Sequence, residues 1–303
     1  MTFRLAHLSD CHLGPLPPIR RRELISKRVL GYINWQRNRG KAMVSGTIKG
    51  LVDDLKSQTP DHIAVTGDLV NLGLEAEFLG AGRFLADLGS PDAVTAIPGN
   101  HDAYVPGALA RFNVHCAPFL TSDPSATQAG APYPIIRQRG PATILGLSTA
   151  TATGPFMATG FVDAQQKTKL QQALTDHLGA FRIVLIHHPP QPNAGPWHKR
   201  FIGAKAFRDL MDKTGAELIL HGHTHLPTRT EIDGPNGPIP VFGVASAAQS
   251  PGGHKRPASY TLFEIDETES GWQVTATRRG YPVDGRAITE LSVERFSVST
   301  PKS

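Results

Sequence analysis

Residues 93–102 read AVTAIPGNHD: five β-forming or small residues, a turn at Pro98 and Gly99, then Asn100, His101 and Asp102 in a row. A short apolar run ending in a tight turn is the signature of a buried strand. Polar donors placed directly behind it fall at the strand's C-terminal end, where open α/β sheets carry their sites. The same arrangement recurs on both sides. Residues 3–9 (FRLAHLS) lead into Asp10 and His12, and residues 62–66 (HIAVT) into Gly67 and Asp68. Further on, residues 182–186 (RIVLI) lead into His187 and His188, and residues 217–220 (ELIL) into His221, Gly222, His223 and His225.

Between these strands the spacing predicts helices over 47–58, 74–88, 163–177 and 207–214. A hairpin is expected from 134–139 and 143–148 around Gly140 and Pro141. The last third changes character, with strands over 240–244, 259–265 and 273–277 separated by Gly/Pro turns. Mostly parallel βα units followed by antiparallel strands imply an α/β fold of two facing mixed sheets with helices outside. The donors are spread from Asp10 to His225, so if they meet, that span is one folding unit. A single domain over 1–281 is expected, with an insertion at about 15–44 and a polar surface extension over 282–303.

With 303 residues and 40% hydrophobic content the chain is long enough for a sizeable core. Cys11 and Cys116 are its only cysteines, which excludes a disulfide framework and fits a reducing compartment. No run is apolar enough for a membrane span, and no secretory signal precedes the first strand. A cytoplasmic location, with a possible peripheral position at the inner membrane face, is the expectation. Cys11, between two donors, is read as core.

Divalent metals need several O and N donors converging on one point, and a pair of metals needs a shared anion. Any one Asp-x-His or Gly-Asp is weak evidence, and a single histidine is more often structural. GNHD and HGHTH are rarer by chance, and five pieces in order, each at a strand end, are rarer still. On extended backbone, Asp10 and His12 would point the same way, as would His223 and His225. Gly67, Gly99 and Gly222 would let the chain turn beside the donors.

The ordered set, from Asp10 to His225, resembles the calcineurin-like metallophosphoesterase superfamily, which includes class III cyclic-nucleotide phosphodiesterases and UDP-2,3-diacylglucosamine pyrophosphatases. That resemblance implies a four-layer α-β-β-α sandwich and two divalent metal ions. Asp10, His12 and His225 would hold one metal and Asn100, His187 and His223 the other, with Asp68 bridging. It further implies a phosphodiesterase in which a metal-bridged hydroxide attacks the substrate and His101 assists the leaving group. Asp102 would either orient His101 or cap the following turn. His188 is left as a neighbour of the site or a substrate contact, and His221 as structural. Two metals against the carboxylates of Asp10 and Asp68 and a hydroxide leave a small positive charge, which attracts phosphate. A mixed N/O donor set without thiolate suits Mn²⁺ first, with Fe, Zn²⁺, Co²⁺ or Ni²⁺ as alternatives.

The net charge of +5 is unevenly placed: residues 20–41 hold eight Arg and Lys against Glu23 alone, a net +7, which leaves −2 for the remainder. Residues 19–41 read as one amphipathic helix with Leu24, Ile25, Val29, Ile33 and Trp35 as apolar positions. Three uses compete for it: a solvated face over a packed stripe, an anionic membrane surface, and nucleic acid, the weakest. Two loops at the expected rim offer substrate contacts in Trp197, His198, Lys199, Arg200, His254, Lys255 and Arg256. The leading function is hydrolysis of a small phosphodiester. A membrane-associated enzyme acting on a lipid-linked substrate such as UDP-2,3-diacylglucosamine comes second. A non-catalytic scaffold of the same fold should lack several donors, and this chain lacks none.

Overall fold

The computed structural model describes residues 2–39, 45–124, 132–285 and 287–299. Two six-stranded mixed sheets face each other. The first has the order β14-β13-β12-β1-β2-β3, in which β1 (Phe3–Leu8), β2 (His62–Val65) and β3 (Val94–Ala96) are parallel. Its other half, β12 (Ser259–Thr268), β13 (Gly271–Gly280) and β14 (Thr289–Ser299), is antiparallel. The second sheet runs β10-β11-β9-β7-β5-β4. Its strands are β4 (Ile135–Arg139), β5 (Ala142–Gly146), β7 (Phe181–Ile186), β9 (Leu218–His221), β10 (Thr228–Ile232) and β11 (Ile239–Gly243). β6 (Gly160–Phe161) and β8 (Phe201–Ile202) form a small separate pair.

Strand alternation sorts the apolar residues of the second sheet between two cores. Ile144, Ile183, Leu185, Leu218 and Leu220 face the first sheet. Their neighbours Leu145, Val184, Ile186 and Ile219 face outward against α5 (Ala164–Asp176) and α6 (Ala204–Thr214). Edge-to-face ring pairs stitch the sheets together, Phe181 on Trp272 at 5.5 Å and Phe242 on Phe263 at 5.1 Å. On the far side of the first sheet lie α2 (Ser45–Ser57), α3 (Glu75–Leu88) and α4 (Ala108–His115), contributing Leu51, Leu55, Phe78, Leu85 and Phe112 to the larger core. The expected α-β-β-α layering of mixed sheets is the architecture present. The helix expected at 163–177 is capped by the Asp163 carboxylate, which accepts from the Gln166 N–H at 2.7 Å.

Two expectations are corrected here. Residues 289–299, expected in a surface extension, form β14 on the edge of the first sheet, paired along its length with β13. Leu291, Glu294, Phe296 and Val298 are half-buried while their neighbours are exposed, but the interleaved Ser, Glu and Arg dilute the hydrophobic alternation at this edge. Residues 19–41 do not form one helix. They divide into a 3₁₀ turn (Arg21–Leu24), α1 (Arg28–Asn34) and a π-helical turn (Trp35–Arg39), and residues 40–44 lie outside the described residues.

Candidate metal centre

All seven expected donors sit just past C-terminal strand ends. Asp10 and His12 follow β1, Asp68 follows β2, Asn100 follows β3, His187 follows β7, and His223 and His225 follow β9. The loops are zipped to one another: the amides of Asp10, His12 and Leu13 donate to the carbonyls of Gly67, Asp68 and Leu69 at 2.8–2.9 Å. Across the sheets, the Ala247 amide donates to the Ser9 carbonyl and the Ser246 hydroxyl to the Asp10 carbonyl.

The donors do not stand on extended backbone, as their i, i+2 spacing suggested. Asp10, His12, Asp68, His223 and His225 have φ of 54°, 37°, 55°, 69° and 57°. They make up five of the eight non-glycine residues with positive φ among those described. Each such conformation costs on the order of 1–3 kcal/mol and survives only where the surroundings fix it. The zipped loops supply that constraint. Gly99 and Gly222 serve close approach: a Cβ on Gly99 would sit 2.2 Å from Asp68 Oδ1, and one on Gly222 2.6 Å from Asp10 Oδ2.

The ring nitrogens are assigned by their outer partners. His187 Nδ1 donates to the Thr66 carbonyl at 2.7 Å, and its Nε2 lies 3.2 Å from Asn100 Oδ1 and 3.5 Å from Asp68 Oδ1. His12 Nδ1 donates to the Val70 carbonyl at 3.2 Å, leaving Nε2 3.4 Å from His225 Nε2 and 3.8 Å from Asp68 Oδ2. His223 is reversed: Nε2 donates to the Lys199 carbonyl at 2.9 Å and Nδ1 lies 2.8 Å from Asn100 Oδ1. His225 Nε2 is 3.1 Å from Asp10 Oδ1, a buried carboxylate oxygen.

These separations fit divalent cations. A metal bound at about 2.1 Å spaces its ligands about 3.0–3.4 Å apart, and the donor atoms here stand 2.8–3.8 Å from one another. Asp10, His12 and His225 form one such group, and Asp68 faces both it and His187. Burial would raise the Asp10 carboxyl, yet His225 beside it holds it below the usual carboxylate range. Burial pushes His223 well below its ordinary value, which keeps its imidazole neutral, the form that binds metal.

A cavity of about 460 Å³ opens over the donors, lined by Asp68, Asn100, His101, His223, His225 and the expected contacts Lys199, His254, Lys255 and Arg256. A second, of about 660 Å³, adjoins it at Lys199 and His223 and is walled by Trp197, Arg200 and Arg208. His198 lines neither. His188, expected as a neighbour or a substrate contact, is buried: its Nδ1 pairs with the Thr149 hydroxyl at 2.7 Å and its Nε2 with the Ala158 carbonyl at 3.1 Å. Its ring packs on His223 at 4.3 Å, so it props a ligand and does not meet the cavity. His221, expected to be structural, is buried with Nδ1 donating to the Gly222 carbonyl at 2.9 Å.

His101 reaches the cavity, but Asp102 does not orient it. The imidazole Nδ1 donates to the Asn71 carbonyl at 2.6 Å, and the ring lies parallel to Tyr104 at 5.3 Å. The Asp102 carboxylate instead accepts from the amides of Asp68, Leu69, Val70 and Gly99 at 2.8–3.1 Å, tying two ligand loops together. Burial and the neighbouring Asp68 carboxylate push Asp102 up, to about 8, against those four N–H donors. Tyr104 and the orienting carbonyls of Thr66, Val70, Asn71 and Lys199 escaped the sequence reading. Backbone carbonyls leave no residue-type signal, and Tyr104 stands outside the donor motifs.

The sequence profile described as calcineurin-like phosphoesterase matches residues 3–227. The chain belongs to that family. A glycerophosphodiester phosphodiesterase, GpdQ of Enterobacter lignolyticus (strain SCF1), is 30% identical over 188 residues, covering 62% of this chain and 57% of the relative. Among solved structures, the purple acid phosphatase PPD1 from yellow lupin (Lupinus luteus) seeds superposes with a TM-score of 0.58 at 13% identity. That match covers 98% of this chain and 54% of the phosphatase, and it bears on the fold alone. The chain thus spans little more than half the length of these two relatives. The matched stretch of this calcineurin-like phosphoesterase contains every one of the seven donors. No helix among the described residues is long and apolar enough to cross a membrane.

Proposed function

We propose that this chain is a metal-dependent phosphodiesterase with a dinuclear centre, acting on a small diester. The observation that carries the reading is the position of Asp68: Oδ1 faces His187 and Oδ2 faces His12, the arrangement of a carboxylate shared by two cations. Asp10, His12 and His225 would hold one ion and Asn100, His187 and His223 the other. Manganese suits this N/O set. When bound, the pair supplies Lewis acidity and a water activated near neutral pH.

The chain's own residues supply the rest. His101 is held by Asn71 through Nδ1, so Nε2 of its protonated imidazole would be the atom that hands a proton to the leaving oxygen. Its own backbone N–H donates to Asp68 Oδ1 at 2.7 Å, fixing the carboxylate plane. Lys199, Lys255 and Arg256 place positive charge on the cavity wall, opposite a diester's unesterified oxygens. A diester has two organic arms, and two adjoining cavities meeting at His223 and Lys199 match that shape. The relative named for glycerophosphodiesters directs the choice of first substrate. A second reading, a lipid-linked diester or pyrophosphate, is favoured by the exposed apolar residues of α1. A panel of glycerophosphodiesters, cyclic nucleotides and nucleotide-sugar lipids with Mn²⁺ tests both. Turnover confined to phosphomonoesters would overturn them.

A further inference from the structure

Of the three uses open to the basic segment before α2, a stripe packed on the body is not what its apolar residues form. Ile25, Val29, Leu30 and Ile33 are 84%, 42%, 36% and 41% exposed. Val29 and Ile33 are four residues apart in α1 and Leu30 and Ile33 three, so they share one side of the helix. Two of the basic residues are spent holding the segment in place. Lys27 Nζ donates to the Thr153 hydroxyl at 3.1 Å and lies 4.5 Å over the Tyr104 ring. Arg28 donates to the carbonyls of Leu72 and Gly73 at 2.9 and 2.5 Å. Arg20, Arg21 and Arg22 before the helix and Arg37 after it are exposed.

A second apolar projection comes from the loop that Lys27 grips. The Thr153 hydroxyl donates to the Met157 carbonyl at 2.6 Å, closing a turn that holds Phe156 82% exposed at φ 62°. Holding a bulky residue at that φ to face water has no gain in folding.

We propose that this face docks on an anionic lipid bilayer, with Ile25, Val29, Leu30, Ile33 and Phe156 entering the headgroup boundary and the arginines pairing with lipid phosphates. Aliphatic side chains among arginines match that boundary, which is apolar beneath and negative above. Nucleic acid fits less well, since the exposed residues are aliphatic while Tyr32 and Trp35 are half-buried, so few bases could stack. A second copy fits less well too, because an isologous dimer would press one +7 segment against another. The docked face lies one side chain from the catalytic histidine: Gly31 packs on Tyr104, and Tyr104 stacks on His101.

Co-sedimentation of the full chain with vesicles of phosphatidylcholine, alone or mixed with phosphatidylglycerol, tests this. Binding to the mixed vesicles only is expected, weakened by salt. Ile25→Ser with Ile33→Ser, or Arg21→Glu with Arg22→Glu, should each weaken it about tenfold or more. Turnover of bis-p-nitrophenyl phosphate in solution should stay unchanged in both pairs, which shows folding and reads the phosphodiesterase proposal separately. No vesicle binding, equal binding to neutral vesicles, or binding untouched by either pair would overturn the proposal. So would a dimer in solution that the isoleucine pair disperses, or DNA binding in place of vesicle binding.

Discussion

The Asn71 carbonyl sits 2.6 Å from His101 Nδ1, and this contact fixes which ring nitrogen of His101 is turned to the backbone. The imidazole is fixed from behind by backbone and from the side by Tyr104, and His101 lines the cavity. In the proposed reaction this backbone grip, and not a carboxylate on Nδ1, would orient His101 as proton donor.

Replacing His101 with alanine should lower kcat for a diester by about 10²–10⁴-fold, the usual contribution of general acid–base assistance. Metal content should not change, because His101 is not among the seven donors. Elemental analysis of the purified variant beside its turnover checks both halves.

Asp102 predicts the opposite pattern. Alanine there leaves four amides of the ligand loops without their acceptor. Each buried donor left unmade costs about 1–3 kcal/mol, partly recovered by entering water. A loss of about 2–4 kcal/mol in urea unfolding is expected, together with weakened metal binding, since Asp68 rides on the same loop.

Acid should destabilise the fold before its carboxylates titrate. His62 is buried between strands with Nε2 on the Thr95 hydroxyl at 2.8 Å, and burial, with Arg137 and Arg139 nearby, lowers it to about 3. The unfolded chain binds a proton at this residue below about pH 6.5 while the folded chain resists until about 3. The stability it contributes is thus complete above pH 6.5 and lost as pH falls through that window, at up to about 1.4 kcal/mol per pH unit. Urea melts between pH 7 and 5 should show a shallower pH slope for His62→Gln than for the parent chain.

Chelation should cost stability as well as activity. The seven donors stand 2.8–3.8 Å from one another in the folded chain alone, so a cation held there binds that state preferentially. With metal at about 100–1,000 times its dissociation constant, linkage gives about 3–4 kcal/mol. EDTA should lower Tm by several degrees, and Mn²⁺ should restore it.

The fold's parallel half and all seven donors were legible because buried strands carry near-continuous apolar runs that end at the motifs. β10 and α4 were not. The strand is TRTEI, polar on its outer side at a sheet edge, and the helix is short and opens on the left-handed Gly107. Periodicity also said that residues 28–34 have an apolar side but not what that side meets, and it meets no core. Parity along an extended strand likewise failed for Asp10 and His12, because their left-handed backbone follows from loop pairing that sequence spacing does not encode. Sequence adjacency suggested that Asp102 serves His101, whereas the fold turns its carboxylate toward the amides of two loops.

Asp68→Ala tests the account most directly. With one shared carboxylate removed, metal analysis should fall from two ions per chain to one or none, and diester turnover should drop by about three orders of magnitude. Two ions per chain together with undiminished turnover would contradict the shared centre.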